Sequence, residues 1–322
     1  MRVLITGAAG NLGTFLARFL LAEGYHFLNL MIHEKPLADE LAQGNRTRIY
    51  SCDLGQPHTL VEVCAASDVI VHFAGMLFAP RPEKFLPRTN FVYTKHLVDA
   101  AIAGGVKRFI LVSFPHVEGP TSVEDPCTDR QDREPVSVHA RTRLAAEKYL
   151  LEKGKESGMR TIALRPGMIY GRDVLMIAFA KKLARKNLLA VWTDPTAIQL
   201  LSLDDFNACC KAAIENSNAE GIYPLGDDCP TTLQDFLDTA CRYWGLGRPW
   251  RAPAWSIYLG AWLCETFAII FRTHTPFTVD LIRISRVPYY CDTSRMKAEL
   301  LPELKYPSLQ SQSNSGPGIQ EL

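Results

Sequence analysis

The stretch Val3-Leu4-Ile5-Thr6-Gly7-Ala8-Ala9-Gly10-Asn11-Leu12-Gly13 decides how the rest of the chain is read. Arg2–Thr6 is short, apolar and β-branched, as a buried strand is. Beyond it, Leu12, Phe15, Leu16, Phe19 and Leu20 fall at i, i+3, i+4, i+7 and i+8. That spacing makes one apolar face of a helix over Asn11–Glu23, and Gly24 ends it. The glycines between strand and helix divide the labour of a phosphate cradle. Gly7 permits a tight turn, Gly10 lets the backbone approach a pyrophosphate, and Gly13 lets the helix pack close to the strand. The helix N-terminus adds free N–H groups and a partial positive charge. A bare glycine triplet is compatible with a simple turn. The strand before it and the helix after it favour dinucleotide binding.

Outward from this motif the alternation continues. His26–Ile32, Arg48–Cys52, Val69–Phe73, Arg108–Ser113 and Thr161–Arg165 read as further strands, and Thr89–Ala103 and Val138–Glu156 as helices. Near-continuous apolar strands alternating with helices predict an α/β fold: a doubly wound parallel (Rossmann) sheet covered on both faces. Ligands in such sheets lie at the carboxyl ends of the strands. After Arg165 the pattern turns irregular and richer in Pro, Trp and Tyr. Residues 1–170 therefore read as a dinucleotide-binding domain, with 198–225 returning to it. Residues 171–197 and 226–309 read as a smaller C-terminal substrate domain, and 310–322 as a polar, disordered tail.

The bulk properties fit this reading. The chain has 322 residues, 47% hydrophobic and 21% charged, with a net charge of +1. That balance gives no electrostatic footprint for nucleic acid. Nine cysteines lie scattered with no CxxC pair, which points to reduced thiols in a cytoplasmic protein rather than a disulfide framework. The apolar run Val3–Ile5 is too short for a secretory signal. Cys209-Cys210 lies on an amphipathic segment, Asp205–Ile214, and reads as core thiols rather than a reactive pair.

The spacing Gly-x-x-Gly-x-x-Gly after Thr6 resembles the extended, atypical short-chain dehydrogenase/reductases, that is, the NAD-dependent epimerase/dehydratase family. Other segments carry the same resemblance. Cys52-Asp53-Leu54 is similar to the family's aspartate-leucine beside the adenine. His72-Phe73-Ala74-Gly75 is similar to the fourth-strand end that lines the cofactor. Asn90 stands in the following helix. Leu164-Arg165-Pro166-Gly167-Met168-Ile169-Tyr170-Gly171 is similar to the segment after the sixth strand, and Leu203-Asp204-Asp205 to a later acidic pair. The region Pro253–Leu309, with Tyr290-Cys291-Asp292-Thr293-Ser294-Arg295, most resembles the three-beta-hydroxysteroid dehydrogenase-like branch. The resemblance implies that Gly7, Ala9, Gly10, Asn11, Leu12, Gly13, Asp53, Leu54, Phe73, Ala74, Gly75, Asn90 and Pro166 line a bound NAD(P). It also implies a homodimer formed through Thr89–Ala103 and Val138–Glu156.

An acidic residue at the end of the second strand holds the ribose hydroxyls of NAD. Met31 and Ile32 stand there instead. No carboxylate repels a 2′-phosphate, so the expected cofactor is NAD(P), tilted towards NADP. His33 and Lys35 lie just beyond and could assist, or could be ordinary solvated loop residues; Glu34 could reach a ribose.

The resemblance further implies a catalytic Tyr, a Lys four residues later that holds the ribose, and a Ser or Thr at the fifth strand end. In this chain His139 stands in place of the Tyr, Arg143 in place of the Lys, and Phe114 in place of the Ser/Thr, with Ser113 one position early. Two readings follow. In one, the chain is an oxidoreductase or epimerase acting on a secondary alcohol or ketone. His139, with an ordinary pKa near 6.5, moves the proton, Arg143 orients the ribose and keeps the ring neutral, and Ser113 assists. In the other, the site holds cofactor without chemistry and the chain is a redox sensor or regulator. His116 and Glu118 lie at the same sheet edge; with His139 they could be a metal site, but loop or substrate contacts fit their spacing better, and no metal is expected.

Finally, Ala254–Phe271 is apolar over 18 residues apart from Glu265, with Arg248, Arg251 and Arg272 around it. It could be a lid helix over an apolar small-molecule substrate, a peripheral membrane contact, or a span.

Overall fold

The computed structural model describes residues 1–25, 27–76, 81–273, 275 and 277–308. Seven strands line up in parallel: β1 (Val3–Thr6), β2 (Leu28–Ile32), β3 (Thr47–Ser51), β4 (Val69–His72), β5 (Arg108–Val112), β6 (Arg160–Pro166) and a later strand, Gly221–Leu225. In space that later strand lies beside β6, and the order continues β5, β4, β1, β2, β3. The switch point falls at β1, whose Thr6 pairs with Met31 on one side and His72 on the other. This is the doubly wound sheet that the alternation predicts.

The strands' side chains alternate between two cores, as period-2 geometry requires. Val3, Ile5, Val69, Val71, Ile110, Ile162 and Leu164 face one core. It is closed by α1 (Asn11–Ala22) and by the helix Leu203–Glu215, which buries both Cys209 and Cys210. Leu4, Ile70, Phe109 and Leu111 face the other. There the cover comes from Val61–Ala65, Tyr93–Ala103 and Val138–Ser157.

A third core gathers Tyr170, Ile177, Trp192, Phe236, Ile257 and Ile282 from the region after β6. It is built on helices and two-stranded ribbons, among them Ala190–Trp192 paired with Trp250–Ala252. The long helix Ala254–Phe271 and the short helix Val279–Ser285 pack together at its outer side.

Two local features differ from the periodicity. The second strand begins at Leu28, and His26 lies outside the described residues. The helix expected from Thr89 starts instead as a wide i→i+5 turn over Pro87–Val92 before regular helix begins at Tyr93. That turn brings Asn90 fully inside. The tail expected over 310–322 also lies outside the described residues.

One buried electrostatic cluster ties the carboxyl edge of the sheet together. Arg165, near the end of β6 and without solvent exposure, bonds Glu147 on the helix Val138–Ser157 at 2.6 Å and Glu118 in the loop after β5. It also donates to the carbonyls of Thr128 and Arg130, and Arg130 reaches Glu118 from the other side at 2.9 Å. Removing the central cation would leave two carboxylates facing each other in a dry interior. We expect Arg165→Met to destabilise the fold by about 3–5 kcal/mol, read as a fall in the urea midpoint; an unchanged midpoint would show that the cluster is dispensable.

Candidate functional site

The loop between β1 and α1 is held tight by contacts that admit no side chain. Gly7 has φ +71° and its backbone abuts Ala74, where an added Cβ would sit 3.0 Å from the Ala74 nitrogen. An added Cβ on Gly13 would stand 2.3 Å from the Gly7 carbonyl oxygen. The Gly10 N–H donates to the same oxygen at 2.8 Å. No side chain caps α1, so its first turn presents backbone donors at the carboxyl edge. Ala9 and Leu12 pack part-buried on the core below.

Asn11 does something that its place in the motif did not reveal. Its amide donates to the Asp173 carbonyl and accepts from the Leu175 N–H, both at 2.9 Å. The side chain thus anchors the loop that follows β6, leaving the Asn11 backbone for a pyrophosphate.

At the adenine end, Asp53 spends both oxygens on its own loop, accepting from the Gly55 N–H at 2.7 Å and the Gln56 amide at 2.9 Å. The Gly55 bond holds its carboxyl below the ordinary range, with smaller help from His33 and Arg88. His33 itself is exposed and lies 3.6 Å from Glu34. Arg88 lies over the Tyr93 ring at 5.6 Å, and Tyr93 in turn closes on Gly55. The sequence reading missed Arg88 and Tyr93. Neither belongs to a spacing rule, and only proximity to Asn90 hinted at them. Leu54 and Phe73 are part-buried core contacts, Phe73 edge-on to Phe206 at 6.2 Å. Pro166 is buried at the end of β6.

The centre of the edge is organised by the helix Val138–Ser157. Ser137 caps it, accepting from the Ala140 N–H at 3.0 Å. Asp280, from the outer helix Val279–Ser285, accepts from the N–H groups of Val138 and His139 at 3.2 and 3.4 Å. His139 is therefore positioned by both regions of the chain.

The His139 tautomer follows from its partner. The Asn90 amide is oriented by Met76, whose N–H it accepts at 2.9 Å and whose carbonyl it donates to at 3.0 Å. Its nitrogen then faces His139 Nδ1 at 3.1 Å. Nδ1 must accept, and the ring proton sits on Nε2. Phe114 stacks on the imidazole at 4.8 Å and 16°. Burial, then Arg143, then His116 pull the His139 pKa down to about 3. The titration near 6.5 expected of a proton carrier is thus not met, because the cation form would lie in a dry, already positive pocket.

Arg143, one turn along, is buried, and its Nη2 and the Asn90 Oδ1 both close on the space beside the Gly75 Cα. Burial lowers its pKa to about 10, opposed by Glu147, so it stays cationic at neutral pH. Its Nε and Nη1 have no partner among the described residues. Buried, unpaired donors of this kind demand acceptor oxygens. That demand, with the Gly7–Gly13 cradle, fits a dinucleotide's ribose and pyrophosphate.

The other residues at the edge divide differently from the sequence expectation. Ser113 is buried, its N–H donating to the Leu164 carbonyl at 2.7 Å while its hydroxyl lacks a partner among the described residues. His116 lies between Phe114 and Tyr289, at 5.7 and 4.7 Å. Burial pulls its pKa down to about 4, against a bond to the Val287 backbone. Glu118 turns away into the Arg165 cluster, so His116, Glu118 and His139 do not assemble as metal ligands. Among the described residues no group of three His, Cys, Asp or Glu side chains could hold a metal ion. His72, just below, is a structural bridge, its ring nitrogens 2.6 and 3.0 Å from the Thr6 and Thr94 hydroxyls.

Comparison with known proteins places this geometry. The model of the family described as "NAD dependent epimerase/dehydratase family" matches residues 3–226. A uronate dehydrogenase of Pseudomonas putida is 31% identical over 169 residues, 52% of this chain; the chain spans 60% of that relative's length. A 4-hydroxy-2-methyl-3-oxo-4-farnesyl-3,4-dihydroquinoline-1-oxide ketoreductase of Stigmatella aurantiaca is 26% identical over 74% of this chain and 71% of its own. Among solved structures, UDP-glucuronic acid 4-epimerase from Bacillus cereus, in complex with UDP-glucuronic acid and NAD, superposes with a TM-score of 0.77. It covers 99% of this chain and 97% of its own at 17% identity, a likeness of fold.

The electrostatics give a pH dependence with a definite sign. His72, His116 and His139 are held, chiefly by burial, to about 3, about 4 and about 3, from 6.5 unfolded. The unfolded chain therefore binds more protons, so their contribution is complete above pH 6.5 and is lost as pH falls below it. We expect the urea midpoint to drop below about pH 6.5. The nitrogen resonances of His139 should keep the neutral Nε2–H pattern down to about pH 5; a titration near 6.5 would overturn the assignment.

Proposed function

We propose, from the premise that this chain belongs to the NAD dependent epimerase/dehydratase family, that it is a nicotinamide-dinucleotide-binding regulator whose site holds the cofactor without the family's proton relay. The observation that carries this reading is the Phe114 ring stacked on His139. Phe114 occupies the place of the hydrogen-bonding Ser/Thr, and the imidazole beneath it is neutral and tied to Asn90.

When bound, a nicotinamide dinucleotide supplies a hydride donor or acceptor at its ring. Interconverting an alcohol and a ketone also moves a proton, and a group that carries it works best with a pKa near the operating pH. His139 lies far below that range, and the Ser113 hydroxyl is buried. What the residues support is binding. Gly7, Gly10 and Gly13 admit the pyrophosphate, while Arg143 offers its unpaired donors to ribose oxygens.

The cofactor we favour is NADP. Met31 and Ile32 bring no carboxylate against a 2′-phosphate. Asp53 has its oxygens engaged by Gly55 and Gln56, and Arg88 contributes positive charge near it.

A second reading is reduction of an apolar ketone, favoured by the similarity to the Stigmatella ketoreductase over most of both chains and by the Nε2–H of His139. A neutral imidazole N–H can polarise a carbonyl without titrating.

Fluorescence titration with NADH and NADPH, followed by a panel of apolar ketones, separates the readings. The regulator reading expects binding, tighter for NADPH, with no cofactor oxidation across the panel. Arg143→Ala should weaken binding by about ten- to a hundredfold, the worth of hydrogen bonds from a charged group. Oxidation that disappears in His139→Ala would establish the reductase instead. No binding of either dinucleotide would remove both.

A further inference from the structure

The helix Ala254–Phe271 is turned inside out relative to a water-facing helix. Its inward side carries the small or modest residues Ile257, Ala261 and Ala268, together with part-buried Glu265. Its outward side carries Trp255, Leu259, Trp262, Phe267 and Ile270, each between 47 and 68% exposed. At helical spacing these two sets lie on opposite sides. Only 17% of the helix is buried, and its mean hydropathy is 1.4. A monomer in water gains nothing from such a face, and contiguous exposed apolar patches of this kind mark interaction surfaces.

Charge and composition select the occupant. Arg248, just before the helix, and Arg272, which ends it, are both exposed. Trp255 in the first turn and Trp262 two turns on are both exposed, so indoles stand on the same apolar arc that Arg272 terminates. Tryptophan at the boundary and cations around it are the chemistry of a headgroup layer, with the apolar arc reaching towards the acyl chains. A second copy fits less well, because the helix's one acidic residue, Glu265, is part-buried on the inward side, so a self-paired outer face brings no carboxylate of its own to Arg272. Residues 309–322 contain few large apolar side chains, Leu309, Ile319 and Leu322, too few to cover the face. A span is disfavoured by the inward packing of Ile257 and Ala261 into the third core.

We propose that the outer face of Ala254–Phe271 docks on an anionic lipid surface, with the helix lying in the interface plane. A groove of about 320 Å³ runs beside it, lined by Trp262 and Ile269 of the helix and by the mixed charges of Arg81, Glu83, Glu265 and Arg283. Asp280, which also lines it, accepts from the Val138 and His139 N–H groups, so the groove borders the element that carries His139.

The test is flotation of the full chain with phosphatidylcholine vesicles, with and without phosphatidylserine. Brominated acyl chains serve as quenchers of tryptophan emission. The expected result is flotation with the phosphatidylserine vesicles, weakened by added salt, and quenching of the wild-type emission. Arg248→Gln and Arg272→Gln should each lower the apparent affinity about fivefold. The triple variant Trp255→Ser, Trp262→Ser, Phe267→Ser should remain in solution while keeping its dinucleotide affinity, which reports that it is folded. Three results would overturn the proposal: no flotation and no quenching, equal flotation with uncharged vesicles, or a concentration-dependent doubling of mass in sedimentation that the triple variant loses.

Discussion

The close approach of α1 onto β1, at Gly13 and Gly7, is the constraint on which the rest depends. A single carbon atom on Gly13 would sit 2.3 Å from the Gly7 oxygen, inside any permissible contact. Because that space is empty of side chain, the first helix lies flat on the sheet and delivers Leu16 and Leu20 into its core. Its N-terminal donors then stand at the carboxyl edge. The same turn packs Gly7 on Ala74, which fixes the end of β4 relative to β1. From there Gly75 opens the space that Arg143 and Asn90 fill. Sheet order, phosphate cradle and the central edge are therefore one mechanical unit.

Around that unit the protein keeps two kinds of buried charge, and they behave oppositely. Arg165 is surrounded by Glu147, Glu118 and backbone carbonyls, so its charge is satisfied several times over. It stitches β6, the loop after β5 and the long helix behind the site. Arg143 lies nearby with Nε and Nη1 unpaired among the described residues. Buried donors left without partners are costly, and a fold that satisfies one arginine so completely has no structural need to strand another. The difference separates scaffold from site.

Much of this was legible from the chain. The alternation of apolar runs with helical faces gave the sheet and its boundaries to within a residue or two, since period-2 and period-3.6 patterns are local. The glycine spacing located the cradle, because backbone clearance is a property of residue type. The buried character of Cys209 and Cys210 followed from the helical face they share. Less was legible where long-range contacts decide. The sequence reads as ordinary helix from Thr89, whereas the wide turn over Pro87–Val92 brings Asn90 inside, where its amide pairs with the Met76 backbone. Asn11 reads as a loop residue near phosphate, yet a residue from the far side of the cleft claims its side chain. Glu118 reads as a neighbour of His139, but the Arg165 guanidinium draws it away.

What the sequence by itself determined is the doubly wound fold and the glycine cradle at the start of its first helix. Residue identity and local periodicity suffice for these. What only the tertiary structure decided is the state of His139, Arg143 and Phe114 and the orientation of the apolar helix. The pKa of His139 is set by burial under Phe114 and by the Arg143 charge, contacts between segments far apart in the chain or one turn away on a helix whose rotation the fold sets. The Ala254–Phe271 helix is apolar on nearly every side, so its sequence contains no direction. Packing of Ile257, Ala261 and Ala268 on the third core chose which side faces inward, and left the aromatic side to face out.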